Sequence, residues 1–201
     1  MKEKIINKST EMFLTLGFKS VTMDDIASEM GISKKTIYVH FPNKTKLIES
    51  VTMHMFETIS CGIEGICNLK KNPIEEIYDI KNLVRDHLKG EKSSPQHQLQ
   101  KYYPKIFQSL KEKQFKIMNE CVQENLTRGI ELGLYRSNIN IDFISRIYFN
   151  NMVGLKDPKL FPLKHFSMNE LMDNFLEYHV RGISTEKGNK VLNKIIEHNK
   201  P

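Results

Sequence analysis

The chain has 201 residues, 39% of them hydrophobic, with 30 Lys and Arg against 24 Asp and Glu, a net charge of +6 and a pI near 9.1. That length holds one domain or two small ones, and no uncharged apolar run is long enough for a transmembrane helix. Three cysteines with no C-x-x-C speak against a disulfide scaffold and for reduced thiols packed as small apolar side chains, with redox sensing as the alternative, and the basic balance favours a polyanionic partner without identifying one.

Lys2 to Leu16 predicts a first helix, with Ile5, Ile6, Met12, Phe13 and Leu16 toward a core and Gly17 as its end. This amphipathic start lacks the apolar stretch of a signal peptide, so a cytoplasmic chain is expected. A second helix is predicted from Asp24 to Met30, opened by a Thr22-x-x-Asp25 capping box and closed at Gly31. Ser33 can cap a third, Lys34 to Phe41, which Pro42 stops. Helix, short Gly-containing turn and helix over 24–43 make a helix-turn-helix pattern, whose second member can enter a DNA major groove.

The charge pattern agrees. Between Gly31 and Ile48 stand Lys34, Lys35, Lys44 and Lys46 and no carboxylate. On a helical wheel Ile37 and Phe41 share the inward face, while Lys35 and Val39 point away from it, flanked by Thr36 and Tyr38. Lysine and hydroxyl groups reach phosphates and base edges, and a valine can touch a thymine methyl. A solvated face on an ordinary helical protein is the alternative.

Asn43 can cap a fourth helix carrying Leu47, Ile48, Val51, Met55 and Ile59, with no stop before Gly62 or Gly65. The boundary is drawn there: a helix-turn-helix domain over 1–61 and a helical domain over 62–201. Further helices are predicted over Pro73–Leu88, Leu99–Lys111 (interrupted at Pro104), Gln114–Leu132, Asp142–Val153, Met168–Ile183 and Thr185–His198, with a polar loop over Lys89–His97. The fold class is all-α. Asp142–Val153 and Met168–Ile183 are apolar over much of their circumference, which fits full burial in a monomer or one face against a second subunit.

No histidine has Glu or Asp three residues before it or another histidine four residues away, and there is no phosphate loop, dinucleotide fingerprint or nucleophile elbow. No enzyme, metal site or cofactor is therefore expected.

Gly31-Ile32-Ser33-x-x-Thr36-Ile37-Tyr38-x-His40-Phe41-x-Asn43-Lys44-x-x-Leu47 resembles the signature of the TetR (tetracycline repressor) family of bacterial transcriptional regulators. The match extends upstream to Phe13, Gly17-Phe18 and Thr22-Met23-x-x-Ile26-Ala27 and covers about the first 55 residues. The resemblance implies a ligand-responsive regulator, more often a repressor, that binds a palindromic operator in double-stranded DNA as a homodimer. The last two long helices of each subunit would form a four-helix interface, and the fourth helix would link head to body. Paired recognition helices lie about 34–36 Å apart, or wider where heads are spread.

Within that frame Lys34 and Lys35 are the candidates for base edges. Thr36, Tyr38 and His40 match family positions that contact phosphate, with a packed neutral imidazole as the alternative for His40. Lys44 and Thr22, each at a helix start, are candidates for clamping a phosphate. The resemblance also implies a small-molecule effector in the body, for which Tyr103, Phe107, Met118, Tyr148 and Asn151 are the candidates; an aromatic stripe of this kind also fits plain core. Asn150 and Asn151, adjacent amides on an apolar helix, must meet water, a ligand or a partner across an interface. A helical interaction module binding an acidic protein is the rival function, without membrane contact in either case.

Overall fold

Ile5 and Phe13 fall on one helical face, and that face is buried in helix α1 (Lys2–Leu16). Leu16, expected inside, is 56% exposed; the chain turns at Gly17 and Phe18 fills the space instead, its ring 5.0 Å from Phe13. The computed structural model describes residues 1–88, 95–162 and 164–198. These form helices throughout: α2 (Met23–Glu29), α3 (Lys34–His40), α4 (Lys44–Asn68), α5 (Pro73–His87), α6 (Pro95–Tyr102), α7 (Pro104–Glu131), α8 (Ile141–Gly154), α9 (Met168–Ile183) and α10 (Glu186–His198). No strand forms among the described residues. No helix among them is long and apolar enough to cross a membrane.

Three segments depart from expectation for physical reasons. α4 runs past Gly62 and Gly65 to Asn68, because a helix-interior glycine costs only about 1 kcal/mol against alanine. It ends where Lys70 takes a left-handed φ of 49°. The predicted helices on either side of Lys111–Lys113 are one helix, α7, since Lys-Glu-Lys contains no breaker. Of the expected polar loop, residues 95–97 are instead the start of α6, where proline suits the first helical position; residues 89–94 lie outside the described residues.

The chain divides into two compact units: Met1–Ser60 with His87–Gln114, and Cys61–Asp86 with Phe115–Pro201. Residues 87–114 thus group with the first 60 rather than with the helices around them in sequence. Leu99, Ile106 and Leu110 are buried in the first unit's core beside Phe18, Ile26, Ile37, Leu47 and Val51, and Lys19 N–H donates to Gln98 Oε1 at 3.3 Å.

The second unit centres on Leu126, Tyr135, Leu176, Val180 and Leu192. A polar network crosses it. Glu76, 1% exposed, pairs with Arg128 at 2.5 Å, and Asn125 donates to Glu76 and to the Pro73 carbonyl at 2.8 and 2.9 Å. Tyr135 OH donates to Asn125 at 3.1 Å. A buried carboxylate requires this degree of pairing. An isolated antiparallel bridge joins Tyr135 and Ser184, with Arg136 N–H donating to Ile183 O at 2.8 Å. α9 buries Leu171, Phe175, His179 and Val180 and turns Tyr178 outward. On α8, Tyr148 and Phe149 are buried while Phe143 and Ile147, four apart on one side, are exposed.

Candidate nucleic-acid interface

The turn between α2 and α3 is built from local chemistry. The predicted capping box is present: Thr22 Oγ1 accepts from Asp25 N–H at 3.1 Å, and Asp25 accepts from Thr22 N–H at 2.8 Å. Those bonds hold the Asp25 carboxyl below its usual range. At the other end Gly31 takes φ 63°, a left-handed turn that glycine adopts without Cβ strain. Ile32 N–H reaches back to Ala27 O at 3.0 Å, a bond that closes the helix. Ser33 caps α3 by accepting from Thr36 N–H at 3.1 Å.

α3 is anchored by one face only. Ile37 is fully buried and Phe41, at the cap, nearly so. Everything opposite faces water: Lys35 is exposed, Tyr38 is 41% exposed and Val39 74%. A single exposed valine is ordinary on a protein surface; this one lies on the open side of α3 with Lys35.

The structure places the seven nucleic-acid candidates as follows. Thr22, Lys34, Lys35 and Tyr38 are exposed, while Thr36, His40 and Lys44 are half-buried. Thr36 Oγ1 shares a 2.8 Å hydrogen bond with Ser33 Oγ. Lys34 pairs with Asp24 at 2.8 Å and lies 5.9 Å from the Tyr38 ring centre. Lys44 Nζ donates to Lys19 O at 3.4 Å; burial pushes its pKa down, while Asp25 opposes the shift. Lys46, not a candidate, pairs with Glu49 at 2.7 Å. Lys35 makes no ion pair among the described residues. The stretch 31–48 has no carboxylate in sequence, but the fold supplies one from α2. Asp24 stands ten residues before its lysine, and only the crossing of two helices could reveal the pair.

The five effector candidates do not share one cluster. Tyr103 and Phe107 pack against the core of the first unit, with Tyr103 edge-on to Phe18 and its phenol pushed up by burial. Met118 and Tyr148 belong to the core of the second, and Asn151 is half-buried on α8. Tyr148 meets Phe175 and His179, with ring centres 5.6 and 5.0 Å away. Burial alone lowers the His179 pKa to about 4. Sequence reading passed over His179, because a single histidine on an apolar helix carries no motif. Asn150, one residue before Asn151, is exposed.

A short capped helix, a glycine turn and a second helix with a basic, open outer face define a helix-turn-helix DNA-binding head. Residues 5–51 match the family model for bacterial regulatory proteins of the tetR family. Over 196 residues, 93% of this chain and 97% of the other, the chain is 24% identical to the uncharacterized HTH-type transcriptional regulator YvaF of Bacillus subtilis (strain 168). It is 31% identical over 78 residues to IcaR, the biofilm operon icaADBC HTH-type negative transcriptional regulator of Staphylococcus aureus (strain Newman), a match covering 39% of this chain and 42% of that one. A solved transcriptional regulator from Cytophaga hutchinsonii superposes with a TM-score of 0.71 at 22% identity, over 91% of this chain and 98% of that one. Residues 5–51 thus carry a DNA-binding head of the tetR type, and the chain as a whole shares the fold of a solved transcriptional regulator.

Proposed function

We propose that the protein is a cytoplasmic, ligand-responsive repressor that binds a palindromic operator as a homodimer. The observation that carries the DNA-binding half is α3, held by Ile37 and Phe41 with Lys35, Tyr38 and Val39 left open. In this reading Lys34 and Lys35 read base edges. Thr36, Tyr38 and His40 contact phosphates, and Lys44 and Thr22 clamp phosphates at helix starts. Repression is supported by the negative regulation named for IcaR.

The outer faces of α8 and α9 form the dimer interface. Phe143 and Ile147 on α8 and Tyr178 on α9 are large apolar side chains left exposed, with Asn150 on the same side of α8 as Phe143. Pairing by a two-fold axis would bury them and set two α3 helices over one operator. The effector binds in the second unit, where Met118, Tyr148 and Asn151 are its contacts; Tyr103 and Phe107 serve the head's core. An effector acts only through a difference in affinity between the DNA-competent form and the other.

Selection of sheared genomic DNA by the purified protein at moderate salt, with sequencing of the retained fragments, tests this. An enriched inverted repeat is expected. Retention with no shared motif would remove the operator reading and favour a basic interaction module.

A further inference from the structure

Two of the three thiols meet in the fold. Cys67 is in the last turn of α4 and Cys121 in the middle of α7, both within the second unit. Their sulfurs lie 3.0 Å apart across 54 residues of sequence, about 1 Å beyond the ~2.05 Å of a disulfide bond. Both are half-buried, so a small oxidant can reach them, while Cys61 is exposed and separate.

We propose that Cys67 and Cys121 form a reversible thiol–disulfide site whose oxidant is a hydroperoxide. Cys67 is the attacking thiol. With Cys121 as the donor of the shared hydrogen bond, that bond holds the Cys67 pKa below the usual thiol range, with Arg128 acting the same way; burial and the Glu76 and Glu124 carboxylates oppose. That same bond, and then burial, pushes Cys121 up, so Cys121 stays protonated until its turn comes. The Cys67 thiolate attacks the terminal peroxide oxygen: an S–O bond forms, the O–O bond breaks, and the departing alkoxide takes a proton to become an alcohol. Cys121 sulfur then attacks the Cys67 sulfenic acid: the S–S bond forms, the S–O bond breaks, and hydroxide leaves as water with the Cys121 proton. In sum two thiols and one hydroperoxide give a disulfide, an alcohol and water, and the two electrons lost by sulfur reduce the peroxide. The bond ties the end of α4 to α7. The inference is independent of the DNA-binding reading.

The test treats the full-length reduced protein with hydrogen peroxide, alkylates the remaining thiols and maps the peptides. The expected result is one alkylated thiol, Cys61, and a cross-link between the peptides holding Cys67 and Cys121, reversed by dithiothreitol. Cys61→Ser should leave the cross-link unchanged. Cys121→Ser should trap Cys67 as a sulfenic acid that dimedone captures, and Cys67→Ser should slow oxidation of Cys121 about tenfold or more. Oxidation confined to Cys61, with Cys67 and Cys121 both still alkylated, would overturn the proposal.

Discussion

The Lys34 ammonium sits 2.8 Å from the Asp24 carboxylate, so the cation that opens α3 is already engaged within the head. Both side chains are more than half exposed, and such a pair is weak and screened by salt. The carboxylate nonetheless competes with any phosphate or guanine edge for that lysine. Asp24→Asn should therefore raise affinity for the operator a few-fold and sharpen the preference at the base pairs that Lys34 reads. Binding of the variant to the operator and to its single-base variants checks this; a gain that is the same on every sequence would mean that Lys34 contacts the phosphate backbone instead.

Lys35 and Lys44 should behave differently from one another. Lys35 is exposed on the open face of α3, so Lys35→Ala should relax preference at particular base pairs, at about 1–3 kcal/mol each. Lys44, half-buried against Lys19 O, should act on phosphate, so Lys44→Ala weakens binding to all sequences alike. Comparing both variants on the operator and on single-base variants of it separates the two roles.

His179 makes stability depend on pH. Its folded pKa, about 4, is below the ordinary imidazole value of 6.5 because burial disfavours the charged ring, so the unfolded chain binds the extra proton first as pH falls. The neutral imidazole's contribution is complete above about pH 6.5 and is lost progressively down to about pH 4, on the order of 3 kcal/mol in all. Thermal melts across that window should fall with pH, and His179→Phe should flatten the fall.

Glu76→Ala should be severe. It would leave Arg128 without its carboxylate and Asn125 without one acceptor in a closed interior, and breaking a buried pair costs roughly 3–5 kcal/mol. Urea unfolding of the variant gives the number; a loss under 1 kcal/mol would mean that water reaches the network.

Ile147→Asp with Tyr178→Asp should convert a dimer to a monomer without loss of helix. Both side chains are exposed in the single chain, so folding does not need them. Sedimentation alongside circular dichroism reads the two effects separately.

The helix-turn-helix was legible in sequence because its signals are local. The Thr22 box, Gly31, the Ser33 cap and the Ile37–Phe41 face each act over only a few residues of chain, and each is found as predicted. Helix existence in the second half was legible from periodicity as well. What escaped was long-range: the Asp24–Lys34 pair, the meeting of Cys67 with Cys121, and the grouping of Tyr103 and Phe107 with the head. A stripe of aromatic residues carries no mark of which core it will enter, and periodicity says nothing about which helix faces which.

The head's core closes only with Leu99, Ile106 and Leu110, which arrive more than thirty residues after Ser60. The head is therefore not a cassette. A fragment ending near residue 60 would present an open apolar seam to water, and grafting the first 60 residues onto a foreign body would leave that seam unfilled. Exchange of binding specificity between relatives has to proceed through the outer face of α3, residue by residue, or carry α6 and the first turns of α7 along with it.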